Sequence, residues 1–96
     1  MYQIVIKPKA VDMARDAYVW YELQQPGLGE LFLKELDNCY DKLEAWPIAY
    51  AKIRKNFRQI ILKKFPYVLV FEIIKHEVVI YAVFHTSLSP RKKFKR

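Results

Sequence analysis

The hydrophobic pattern of this chain changes period twice. Tyr2-Gln-Ile-Val-Ile-Lys7 sets large apolar residues at 2, 4 and 6 against Gln3, Val5 and Lys7, the alternation of a half-buried strand. Pro8 follows, where the first turn of a helix tolerates a missing N–H. Ala10, Ala14, Ala17, Tyr18 and Tyr21 then recur every three or four residues, while Asp12, Arg15, Asp16 and Glu22 fall largely elsewhere. This spacing predicts an amphipathic helix with a small-residue face. Gln25-Pro26-Gly27-Leu28-Gly29 breaks it, because proline blocks continuation and glycine permits a sharp turn. Leu28, Leu31, Phe32, Leu36, Cys39, Tyr40 and Leu43 form the stripe of a second helix, with Glu30 and Lys34 spaced as an i,i+4 pair on its wet side. That helix runs out at Ala45-Trp46-Pro47.

Beyond Pro47 the period shortens to that of strands. Ala51–Lys55 begins a sheet, Asn56 turns the chain, and Arg58–Lys64 forms a strand that stops where Pro66 withdraws a backbone donor. Two long β-branched and aromatic runs follow, Tyr67–Ile74 and Val78–Phe84, joined by Lys75-His76-Glu77. Runs of that length across so short a connection read as a hairpin of nearly fully buried strands. The expected fold is α+β: an N-terminal strand, an αα-hairpin and a three-stranded antiparallel meander, making a small sheet with two helices on one face. The helix-free face and the adjoining basic edge are the expected working surface.

Ninety-six residues make one domain, and 53% apolar content suffices for its core. A basic tail, 91–96, holds five cations and one aromatic. The net charge of +7 is uneven: residues 1–48 carry five Lys/Arg against eight acids, whereas residues 49–96 carry twelve against Glu72 and Glu77. The C-terminal half therefore faces either a polyanion or acidic partner, or simply solvent. No apolar run approaches the ~18 residues of a bilayer span, and Lys7, Lys9 and Asp12 stand where a signal peptide would be apolar. A cytoplasmic protein with no membrane contact is the expectation. The lone Cys39 precludes an intramolecular disulfide and fits packing on the helix stripe. His76 and His85 lack further ligands at metal spacing, and the glycines lack the Lys-Ser/Thr of a phosphate loop, so no metal or cofactor is implied.

The element order, together with Pro26-Gly27-Leu28-Gly29, Pro47, Phe57-Arg58, Phe65-Pro66-Tyr67 and Ala82-Val83-Phe84-His85-Thr86-Ser87, resembles the RelE/ParE family of bacterial toxins, also called plasmid-stabilisation proteins. The resemblance spans essentially the whole chain. It implies the toxin of a type II toxin–antitoxin module, neutralised by a cognate antitoxin whose acidic segment wraps it. It also implies one of two targets: the ribosome, where RelE-like members cleave mRNA without a metal, or DNA gyrase, which ParE-like members inhibit without nuclease activity.

Metal-free RNA cleavage needs a proton acceptor for the 2′-OH, a donor for the leaving oxygen, and cations at the phosphorane. The candidate catalytic residues are Arg58, Lys63 and His85, and the candidate substrate-binding residues are Lys64, Tyr67, Arg91 and Lys92. An imidazole titrates near neutrality and a tyrosine can stack on a base. The chain departs from the RNA-cleaving pattern at two places: Val68 and Leu88 stand where such relatives carry arginine. mRNA cleavage is the first expectation. A gyrase inhibitor or degenerate toxin acting only through protein contacts is the alternative. Two plainer roles stay open: His85 as a backbone-bonded strand end, and Arg58 as a structural bridge to Glu72.

Overall fold

A computed structural model describes residues 1–87; Leu88, Arg91, Lys92 and the rest of the basic tail lie outside the described residues. The chain runs β1 (Gln3–Ile6), α1 (Pro8–Gln24), α2 (Leu28–Ala45), a 3₁₀ turn (Pro47–Ala49), β2 (Lys52–Arg54), β3 (Phe57–Ile61), β4 (Tyr67–Ile74) and β5 (Glu77–His85). The strands form one sheet in the order β1-β5-β4-β3-β2. Strands β2 to β5 pair antiparallel as successive neighbours, and β1 lies parallel to β5, with Gln3 opposite Glu77 and Ile6 opposite Ile80. The α+β fold with a helical hairpin against a meander is therefore what the chain adopts, with β2 as a short additional edge.

Alternation along the strands sorts the sheet into two faces. Ile60, Leu69, Phe71, Ile80 and Val83 join Ala10, Ala17 and Tyr21 of α1 and Phe32, Leu36 and Leu43 of α2 in the main core. Phe57, Val68, Val70, Ala82 and Phe84 form a second cluster on the opposite face, with Met13 and Tyr81 packed against it. A bulge in β5 shifts which of its positions face the main core, from Val78 and Ile80 before it to Val83 after it: Val70 pairs with Ala82 but Phe71 pairs with Ile80, leaving Tyr81 extra. One stripe residue departs from the sequence pattern. Leu31 is 55% exposed, because it stands on the flank of α2 that overlooks the open sheet edge rather than on the face turned to the core.

The helices are held end to end by a side chain rather than by a local cap. Gly27 supplies the left-handed turn (φ 89°) but no capping oxygen. The Glu22 carboxylate reaches back from α1 and accepts the amides of Gly29 (2.8 Å) and Glu30 (3.3 Å). No helix among the described residues is long and apolar enough to cross a membrane.

Candidate functional site

Two features meet at the end of the sheet where β4 begins and β5 ends. Tyr67 pairs with His85 across the last rung, so both side chains project to the helix-covered side, in phase with Leu69 and Val83. Their rings meet edge-on at 5.3 Å. Tyr67 also packs on Phe32 (5.1 Å) and Tyr21 (6.1 Å), and burial raises its phenol above the usual 10.0. It is anchored as a core aromatic and keeps its proton at neutral pH.

His85 is held by its own turn. The Ser87 amide donates to His85 Nδ1 (3.1 Å) and the Ser87 hydroxyl lies 2.8 Å from the same nitrogen. An Nδ1 that accepts from a backbone N–H places the neutral ring's proton on Nε2. Nε2 is then the hydrogen-bond donor of the ring, and Nδ1, the acceptor, is the nitrogen engaged by Ser87. The Thr86 amide donates to the Pro66 carbonyl at 2.8 Å and ties this turn to the Phe65-Pro66-Tyr67 corner.

Lys63 and Lys64 sit in the β3–β4 connection at the same end. The Lys64 amide donates to Glu35 Oε2 of α2 (2.9 Å), which leaves both exposed ammonium groups on the rim of a groove of about 810 Å³. The groove runs between α2 and the sheet edge formed by β2 and β3. Cys39 and Ile60 lie at its base, Leu31, Ile53 and Ile61 line it with exposed apolar surface, and Lys34 and Lys42 add cations from the helix. Burial pushes the Cys39 thiol up, so it sits there as a small apolar group.

Arg58 is elsewhere. It pairs with Phe71, four residues along the strand from the Tyr67–His85 rung, a separation of about 13 Å. Its guanidinium donates to the carbonyls of Tyr50 (2.6 Å) and Ile48 (3.5 Å), tying β3 to the segment after α2. The expected partner, Glu72, lies on the other face and accepts from Tyr81 Oη at 2.9 Å. The sheet thus brings Lys63, Lys64, Tyr67 and His85 to one end and leaves Arg58 toward the other, on the helix side rather than on the helix-free face. Val68 pairs with Phe84 in the second cluster and is 2% exposed, so this position points away from Tyr67 and His85. Arg91 and Lys92 lie outside the described residues, as does Leu88.

Glu35 and Glu22, which hold these pieces in place, carry no signal in the linear pattern, because each accepts from a backbone amide that only the fold brings near. Ser87 at His85+2 stands at a spacing where a hydroxyl can bond an imidazole. Among the described residues no three His, Cys, Asp or Glu side chains gather as a metal would require.

Comparison with known proteins agrees with this architecture. Residues 4–89 match the family model described as the ParE toxin of the type II toxin–antitoxin system, parDE. The fold is similar to that of a chain from the chromosomal ParDE system of P. aeruginosa, with a TM-score of 0.77 and 16% identity over 88% of this chain and 96% of that one. It is also similar to the isolated RelE toxin of E. coli, with a TM-score of 0.68 and 20% identity over 97% and 93% of the two chains. No curated protein sequence matches. The family match covers nearly the whole chain and coincides with the helical hairpin, the five strands and the His85 turn: the chain belongs to the ParE toxin family of type II toxin–antitoxin systems.

Proposed function

We propose that this toxin arrests growth by protein contact, as an inhibitor of DNA gyrase, rather than by cutting RNA. The observation that carries this reading is Arg58, its guanidinium bonded to two backbone carbonyls and its backbone about 13 Å along the strand direction from the Tyr67–His85 rung and two strands across from His85. A phosphorane needs its cation and its proton donor within hydrogen-bond reach of one another's substrate atoms. Val68 in the apolar second cluster and a Tyr67 ring packed against Phe32 and Tyr21 point the same way.

Ribosome-dependent mRNA cleavage is the second reading, supported by one specific grouping: Lys63, Lys64, Tyr67 and His85 at a single end of the sheet. Inducible expression separates the two, with transcript 5′ ends and plasmid supercoiling followed together. Arrest with intact transcripts and relaxed plasmid supports the gyrase reading. New codon-linked 5′ ends that vanish in His85→Ala overturn it.

The groove beside α2 suits the antitoxin. β2 pairs with β3 only as far as Lys52–Arg58, so the outer edge of β3 from Gln59 to Ile61 opens on exposed Leu31, Ile53 and Ile61 between cations. An extended or helical segment with apolar and acidic residues satisfies both surfaces. Its association weakens steeply as salt rises.

A further inference from the structure

The end of the sheet opposite His85 carries two turns built in the same unusual way. β2–β3 and β4–β5 are both two-residue hairpins, with Arg54 opposite Phe57 and Ile74 opposite Glu77. Each demands a positive φ at its first central position, where glycine is favoured because a Cβ crowds the following carbonyl. Here both positions are lysine, Lys55 at φ 53° and Lys75 at φ 57°, the only non-glycine residues with positive φ among those described. Arg58 opposite Phe71 sets both turns at the same end of the sheet. They are separated by two strand spacings, on the order of 10 Å.

The neighbourhood is apolar as well as basic. The Tyr2 amide bonds the Glu44 carbonyl and the Gln3 amide bonds the His76 carbonyl, which draws the end of α2 up to the β4–β5 turn. Trp46 (68% exposed), Ile48 (57%) and Ile74 (43%) lie at this end. The two turns and the strand ends beside them carry Lys52, Arg54, Lys55 and Lys75 against Glu77, and the end of α2 carries Glu44. Strained residues persist where something other than stability holds them.

We propose that the Lys55 and Lys75 turns, with Trp46 at the end of α2, are the surface by which this toxin engages an acidic protein surface on its target. This rests on the protein-contact reading above and places the target on the opposite end of the sheet from the His85 turn. Exposed tryptophan and aliphatic side chains ringed by cations are the makings of a protein interface. Binding of single-stranded nucleic acid draws on a succession of stacking platforms, whereas Trp46 is the one ring beside the aliphatic Ile48 and Ile74 named here.

The test uses Lys55→Gly/Lys75→Gly, which relieves the strain while removing both charges, beside Lys55→Arg/Lys75→Arg, which keeps them. Growth arrest, soluble protein level, melting temperature and half-inhibition of purified DNA gyrase are measured for each. The glycine pair is expected to melt a few degrees higher (~3–6 °C), yet to lose growth arrest and to need at least tenfold more protein against gyrase; the arginine pair is expected to match wild type. A glycine pair as toxic as wild type overturns the proposal and leaves the protein-contact reading intact. A wild type that arrests growth without touching gyrase removes gyrase as the target, and the proposal is then judged on growth arrest alone. A wild type that causes no arrest removes both. Loss of toxicity that parallels loss of binding to a 30-nucleotide RNA assigns the surface to nucleic acid and overturns the proposal.

Discussion

Glu22 Oε1 accepts the Gly29 amide at 2.8 Å, so a carboxylate from one helix caps the start of the next. The contact exists because residue 29 has no side chain: a Cβ there would lie 2.6 Å from Glu22 Cγ and 2.7 Å from the Tyr18 carbonyl oxygen. Gly29→Ala is therefore expected to lose stability, although alanine is the better helix former, because the Tyr18 backbone cannot retreat. Overpacking of this kind costs about 1–3 kcal/mol. Glu22→Ala is expected to cost about 1–2 kcal/mol, in the range of a lost cap. Urea denaturation of both variants checks this, and a Gly29→Ala protein as stable as wild type refutes the close approach.

Arg58 is expected to act on stability rather than on chemistry. Its bond to Tyr50 fastens β3 to the segment leaving α2, and loss of a hydrogen bond from a charged donor costs about 1–2 kcal/mol at a half-buried site. Arg58→Ala should lower the denaturation midpoint, and toxicity should fall only with the folded fraction. A variant of wild-type stability with no toxicity would return Arg58 to the list of functional cations.

Placing arginine at Val68, as the RNA-cleaving pattern has it, is expected to unfold this chain rather than to create a nuclease. Val68 is 2% exposed against Phe84 in the second cluster, and an unpaired buried charge costs at least about 3 kcal/mol. Val68→Arg should be largely insoluble or melt far below wild type. A soluble Val68→Arg protein that cuts mRNA would contradict the expectation on both counts.

Alkaline pH should weaken the fold through Tyr40. Burial, with Asp37 adding to it, raises its phenol from 10.0 to about 12. Between pH 10 and 12 the unfolded chain releases this proton while the folded chain holds it, so stability is intact below pH 10 and declines as pH approaches 12. Tyr21 and Tyr67 shift in the same direction. Tyr40→Phe should flatten the decline in melting temperature across this interval without abolishing it; an unchanged slope would refute the assignment.

Much of the fold was legible in the linear pattern because local physics settles it. Pro8 and Pro47 mark helix boundaries, the Pro26–Gly29 break separates α1 from α2, and the runs beginning at Tyr67 and Val78 suit only buried strands. The extent of β3 was not legible: the sequence carries it to Lys64, but pairing ends at Ile61 and Val68, and the Glu35 bond to the Lys64 amide turns the chain away.

The candidate site divides along the same line. Charge segregation, the two lysines before Phe65 and the histidine closing β5 are properties of the chain itself. Which face each side chain takes and which amide each carboxylate finds depend on strand register, and a one-residue change of register moves every side chain across the sheet. Thus the sequence by itself determined the elements, their order and a basic C-terminal half. Only the tertiary structure set Tyr67 beside His85, tied Arg58 to Tyr50, turned Val68 into the second cluster and brought Lys55 and Lys75 to one end, because these relationships join residues that only the folded sheet makes neighbours.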